Sequence, residues 1–128
     1  LYRALETANR KRLVRSAATP GKGGLALALA RSAMAGELGM EVNLDIVPDL
    51  AALPPDVALF SESNGRFVVT VAARDAAGLE EIFRGLPCRR IGVVTEAESL
   101  LVTLGGKRRI NLDVAAMKCA YKETLAHV

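Results

Sequence analysis

Two short runs hold residue types whose spacing could do chemistry. The first is TPGKGGLA, residues 19–26, which leads into a dense stretch of helix-forming residues. The start of a helix has unpaired amide hydrogens and the positive end of the helix dipole, and glycines let an anion approach the backbone closely. Thr19, Gly21, Lys22, Gly23, Gly24 and Leu25 are therefore candidates for binding a phosphate or carboxylate. The run is not a P-loop, because Lys22 precedes the glycine pair and no Ser or Thr follows it. The same residues also suit a glycine-rich turn that lets two helices pack. The second run is LFSESNGRF, residues 59–67, where Ser61, Glu62, Ser63 and Arg66 crowd around Asn64-Gly65. Such a group can orient a ligand, or bind a cation through Glu62. It equally suits a hairpin closed by a Glu62–Arg66 salt bridge.

The remaining reactive side chains are scattered. Cys88 and Cys119 have no CxxC spacing, and the single histidine is His127. A zinc site needs about four closely placed ligands and a Cys–His nucleophile needs a positioned histidine, so the sequence offers neither. Both thiols read as reduced and partly buried, as in a cytoplasmic protein. Six bases and one acid lie within residues 1–22, so the net charge of +3 is an N-terminal property. It suits an anionic ligand or a solvated helix face. Aromatic residues make up 4% with no Trp, which excludes the stacked-ring surface of single-strand nucleic-acid binders. With 51% hydrophobic and 24% charged residues in 128, the chain reads as one ordinary domain over residues 1–128, with ample core. No apolar run approaches the roughly 18 residues of a membrane span, and no secretory pattern opens the chain. A start at Leu1 directly in a helical pattern suggests a domain cut from a longer polypeptide.

The elements that must position the two runs follow from periodicity. Residues 1–15 read as an amphipathic helix with Leu1, Leu5 and Ala8 on one side, ending near Ser16. Residues 17–24 form a tight loop, and 25–36 a buried helix closing on Gly36 and Gly39. Residues 41–46 alternate as a half-buried strand with Val42, Leu44 and Ile46 inward, and the following proline-broken loop has room for a short helical turn. Residues 57–63 and 66–72 read as two strands hairpinned at Asn64-Gly65. Residues 74–85 form an amphipathic helix with Leu79, Ile82 and Phe83 inward; 88–96, 99–104 and 107–112 are strands, the last two joined by Gly105-Gly106. Asp113 caps a final helix striped by Val114, Met117, Tyr121 and Leu125. The Met residues, Phe83 and Tyr121 fall at core spacing. Lys107, Arg108 and Arg109 read as a solvated edge that deters strand pairing. The order predicts an α/β (α+β) fold with a mixed β-sheet covered mainly by helices.

Together the two runs resemble a known family. GGLALALARSAMAGELGMEVNLD (23–45) is similar to the GGLA-x-ALAE segment of the formylglycinamide ribonucleotide amidotransferases, or phosphoribosylformylglycinamidine synthases, and LFSESNGRFVVTV (59–71) is similar to their LFSES-x-GRF signature. CRRIGVVTE (88–96) and the AYKETL helix (120–125) agree in order and spacing, so the resemblance covers essentially the whole chain. It implies the C-terminal half-domain of an enzyme of the aminoimidazole ribonucleotide synthetase superfamily, whose paired N- and C-terminal domains enclose an ATP site. The implied reaction is a step of purine biosynthesis. ATP and Mg²⁺ activate the formyl amide oxygen of formylglycinamide ribonucleotide, and ammonia derived from glutamine displaces phosphate to give the amidine. The implied partners are the N-terminal synthase domain, which holds most metal-binding carboxylates, a glutaminase domain or subunit, and formylglycinamide ribonucleotide. Nucleic acid and membrane are not among them, and a homodimer is compatible with the family. Relatives open the first motif with an HDVSDGG-type run, whereas Ala18, Thr19, Pro20, Gly21 and Lys22 stand here, so no acid–base or metal role transfers to those positions. Gly23-Gly24 keeps what backbone anion binding needs. No catalytic residue or metal ligand is assigned to this chain, no tightly bound cofactor is expected on it, and alone it should be inert. The nearest alternatives are another superfamily member, such as selenophosphate synthetase, thiamine monophosphate kinase or the hydrogenase maturation dehydratase, expected to lack SES-x-GR, or a non-catalytic anion-binding or interaction domain of the same fold.

Overall fold

The computed structural model describes residues 1–125; His127 lies outside the described residues, as does the side chain of Leu125. The elements in order are α1 (Tyr2–Arg10), β1 (Val14–Ala18), α2 (Gly24–Gly36), β2 (Gly39–Asn43), α3 (Pro48–Ala51) and α4 (Pro55–Phe60). After these come β3 (Val68–Val71), a 3₁₀ turn (Ala73–Asp75), α5 (Ala76–Ile82), β4 (Gly92–Thr95), β5 (Ser99–Leu104), β6 (Lys107–Asp113) and α6 (Val114–Leu125). Four strands form a mixed sheet in the order β4-β2-β5-β6, with β2 parallel to β5 and the other neighbours antiparallel. β1 and β3 form a separate antiparallel ribbon in which Val14 faces Val71 and Ala18 faces Val68.

Side-chain alternation decides which face of the sheet is covered. β5 buries Leu100, Val102 and Leu104 and leaves the residues between them half-exposed, the period of two that a pleated strand imposes. Met40 and Val42 of β2 join them, and α2 lays Leu25, Ala26, Leu29 and Ala33 across this face. Ala58 and Leu59 of α4 and Val114 of α6 close the same cluster. Leu29, Leu44, Leu100, Val102 and Leu104 are each less than 2% exposed, and burial of such a side chain contributes about 2 kcal/mol. A second cluster, Ala8, Leu79 and Phe83, packs α1 and α5 on Val14, Val69 and Val71 of the ribbon.

The mixed, helix-covered sheet is as the order of elements implies, yet several elements differ from expectation. The first helix stops at Arg10 rather than running to residue 15. Arg12 takes a left-handed φ of 57°, and the amides of Arg12 and Leu13 donate to the carbonyls of Asn9 and Ala8, a Schellman stop with no glycine to announce it. The freed segment becomes β1. Residues 55–60 are helical, not the first strand of a hairpin, because Pro55 and Asp56 favour a helix start and Ala58 and Leu59 fill the gap beside α2. Asn64-Gly65 does turn the chain, but it joins a loop to β3. Ile46 and Tyr121 are exposed rather than core residues, at 45% and 53%. Asp113 caps α6 as expected, its Oδ1 accepting the Ala116 amide at 2.8 Å.

Asp45 fastens the end of β2 to the β5–β6 turn. Gly105 and Gly106 both have φ of 64°, the left-handed conformation that a two-residue hairpin of this hand requires. Their amides, pointing out of the turn, donate to Asp45 Oδ1 at 2.6 Å and Oδ2 at 3.0 Å. These two bonds hold the Asp45 carboxyl below the ordinary aspartate range. A carboxyl so lowered stabilises the fold above its unfolded pKa, and the contribution disappears as pH falls through the folded value. We expect Asp45→Asn to lower the thermal midpoint at neutral pH. The gap between variant and native chain should narrow below pH ~4, where the unfolded aspartate protonates; a gap constant from pH 7 to acid, followed by circular dichroism, would contradict this role for the charge.

Candidate functional site

The two motifs meet. β1 ends at Ala18, the chain turns through buried Pro20, and Gly23 and Gly24 open α2 with φ of 80° and 63°. A β-carbon on Gly24 would lie 2.6 Å from the carbonyl carbon of Phe60 and 2.7 Å from both its Cα and the Leu59 oxygen, so the last turn of α4 rests directly on this glycine. Glu62, two residues beyond that turn, then reaches back, and its Oε1 accepts the Gly23 amide at 3.0 Å. A carboxylate thus sits at the positive end of the α2 dipole. The Gly24 amide donates to Gly21 O at 2.9 Å and Leu27 takes up Gly23 O. Among the described residues, the amides of Leu25 and Ala26 have no hydrogen-bond acceptor.

Arg66 organises the second motif from inside. Its Nη2 donates to the Ser61 carbonyl and, at 3.3 Å, to Ser61 Oγ, while Nε donates to Ser63 O at 3.4 Å. The loop from Ser61 to Arg66 therefore wraps one guanidinium. Glu62 and Arg66 form no ion pair among the described residues; each partners a different part of the backbone.

Thr19, Gly21 and Lys22 line a trough of about 860 Å³ between the ribbon and α2. Its walls also include Ser16, Thr70 and Arg31. The Ser16 and Thr70 hydroxyls hydrogen-bond at 2.6 Å, and Arg31 Nη2 reaches Lys22 O at 3.5 Å. Sequence reasoning missed these three residues. Arg31 had a signal, as the single charged side chain in residues 25–36; Ser16 and Thr70 had none without the β1–β3 register. Of the N-terminal bases, Lys22 alone lines the trough, while Arg3, Arg10, Lys11, Arg12 and Arg15 are exposed to solvent. They are a solvated face.

The groups gathered here could attract an anion beside a fixed carboxylate: two unengaged helix-start amides, a lysine and a set of hydroxyls. Among the described residues, no three His, Cys, Asp or Glu side chains come together in a way that could hold a metal ion. Cys88 is half-buried, and burial first, then the nearby Glu80, pushes its thiol pKa up, away from nucleophilic use. Cys119 is exposed rather than partly buried.

The chain is 36% identical over 110 residues to the phosphoribosylformylglycinamidine synthase subunit PurL of Thermococcus sibiricus, covering 86% of this chain and 15% of that protein. It is 40% identical over 105 residues to PurL of Thermobifida fusca, 80% of this chain and 12% of that one. The chain therefore spans only a small part of the length of the curated relatives it matches. Its fold superposes on T. maritima PurL complexed with ATP with a TM-score of 0.76 at 26% identity, over 90% of this chain and 20% of that chain. E. coli HypE, a hydrogenase maturation protein, has a TM-score of 0.63 at 22% identity over 87% of this chain and 38% of its own, and shares the fold alone. Residues 1–105 match the family model for the AIR synthase related protein, C-terminal domain, and the chain belongs to that family.

Proposed function

We propose that this chain is the C-terminal domain of a phosphoribosylformylglycinamidine synthase. In the whole enzyme it serves the ATP-dependent conversion of formylglycinamide ribonucleotide to the amidine in cytoplasmic purine biosynthesis. The observation that carries the reading is the contact between the motifs: Gly24 under Phe60 and the Gly23 amide on Glu62 make one site of two separate signatures. The PurL relatives and the T. maritima PurL structures complexed with ATP and with FGAR support it.

In this reading the phosphate of a nucleotide approaches the start of α2. The free amides of Leu25 and Ala26 and the Lys22 ammonium attract it, with Thr19 and Gly21 at the trough wall. Glu62 fixes the Gly23 peptide and brings Ser61 and Ser63 alongside, and Arg66 keeps that loop folded. ATP and Mg²⁺ serve the enzyme as a whole. Among the described residues no three His, Cys, Asp or Glu side chains come together, so the reading leaves the Mg²⁺ ligands to the N-terminal domain and routes no step through the metal here. The N-terminal synthase domain completes the site, and a glutaminase domain or subunit supplies ammonia; the T. maritima PurLQS structure supports such an assembly.

Three outcomes test the reading. The 128-residue chain alone should form no amidine from formylglycinamide ribonucleotide, ATP and ammonia; turnover by it would contradict a split site. In the longer enzyme, Glu62→Gln should cut turnover by roughly tenfold or more, the scale of one misplaced site group, while the thermal stability of this domain changes by about 1 kcal/mol or less. A fully active variant would make the carboxylate structural only. In the isolated chain, a phosphate titration followed by amide chemical shifts should move Leu25 and Ala26. Lys22→Ala should weaken the binding by about 1 kcal/mol and added salt should weaken it further. Shifts confined to other elements would leave the loop a packing turn.

A further inference from the structure

The four-stranded sheet has two edges, and they are built differently. The β6 edge carries Lys107, Arg108 and Arg109, all exposed, and charge of this kind on an edge strand discourages pairing with another chain. The opposite edge, β4, reads Gly92, Val93, Val94, Thr95 and has neither charge nor proline. Val93 and Val94 are 43% and 45% exposed, although both are β-branched residues that favour pairing. Ile91 turns its carbonyl toward β2, where it accepts the Asn43 amide at 2.8 Å. In an antiparallel ladder the alternate residues face the other way, so Gly92 and Val94 present their amides and carbonyls outward. Charges lie only at the ends: Arg89 and Arg90 before the strand, Glu96 and Glu98 after it, all exposed.

That distribution is self-complementary. We propose that the β4 edge is an interface between two copies of this chain, paired antiparallel about a two-fold axis through Val93. The axis stands perpendicular to the sheet, so the helix-covered faces of both copies lie on one side and the two sheets join into one of eight strands. Gly92 then exchanges backbone hydrogen bonds with Val94 of the partner subunit, and Val93 packs on Val93 of the partner subunit. Arg90 comes opposite Glu96 of the partner subunit, and the symmetric pair forms at the other end. The pairing is isologous and closes after two copies, with no free edge left except the two guarded β6 strands. A four-residue strand buries little surface, so the dimer is weak and forms with rising concentration. This inference does not rest on the nucleotide reading, although Val94 also lines the trough that Lys22 borders.

Sedimentation equilibrium of the chain from micromolar to millimolar concentration tests it. Dimer is expected at the upper end, weakened by salt because the end charges steer and align it. Val94→Pro removes an outward amide without touching the β2 ladder, and should leave a monomer with an unchanged far-ultraviolet spectrum. Arg90→Glu and Glu96→Arg, both on exposed residues, should each be monomeric alone. Dimer should return in the R90E/E96R double variant and in an equimolar mixture of the two single variants. A native chain monomeric at millimolar concentration would overturn the proposal. So would a dimer that the charge exchanges neither weaken nor restore, whatever the proline variant does.

Discussion

Between the first turn of α2 and the last turn of α4 there is no room for a β-carbon, and most of the site follows from that. With the Phe60 backbone in contact with Gly24, Ala58 and Leu59 are held against the core beside α2. The chain leaving α4 is then aimed so that Glu62 meets the Gly23 amide. The same contact fixes where the loop around Arg66 sits, and through that loop the start of β3. Since β3 pairs with β1, and β1 leads back into the Gly23-Gly24 turn, the arrangement is a closed circuit of backbone. A close-packed interior transmits strain, so a displacement at one point of such a circuit is felt around it.

The structure also separates electrostatic roles that look alike in composition. Glu62, Asp45 and Asp113 are each carboxylates bonded to backbone amides, at a helix start, a hairpin turn and a second helix start. They act through short bonds to groups that would otherwise lack partners, which is where a charge contributes most at a surface. The ion pairs Arg10–Glu6 and Arg84–Glu81 join exposed side chains within one helix or its end and add little. Lys118–Glu37 differs in linking α6 to the end of α2, and Lys118 lowers the Glu37 carboxyl pKa by its hydrogen bond. The helix that opens on Glu62 is thus secured at its other end too.

Where a segment's own residues decide its conformation, the sequence was legible. α2 is an alanine- and leucine-rich run between glycines, β5 and β6 alternate around Gly-Gly, and Asp113 caps α6; all four lie close to where periodicity places them. Where partners distant in sequence decide, it was not. Val14 and Arg15 continue a helical pattern, yet Val14–Ala18 is a strand because the left-handed turn at Arg12 ends the helix and Val68–Val71 is there to pair with it. Val57–Phe60 is apolar enough for a strand and is helical because of what it packs on. The site divides in the same way. Both motifs could be found from glycine, serine and charge spacing, but the bond from Gly23 to Glu62 spans 39 residues and has no local signature.

The β1–β3 ribbon has a consequence for the order in which the molecule assembles. β5 and β6 are joined by two residues, so their pairing closes a very short loop, whereas Val14 and Val71 must find each other across more than fifty intervening residues. Loop-closure entropy rises with length and is not repaid until the contacts form, so local hairpins are made early and such ribbons late. The β5–β6 hairpin is then the local nucleus of the sheet, whereas β2, which meets β4 and β5 across stretches as long as the one the ribbon closes, joins it late, as the ribbon does. One wall of the trough that Lys22 lines is therefore built by pairing that closes late, and it is expected to open early when the native state fluctuates.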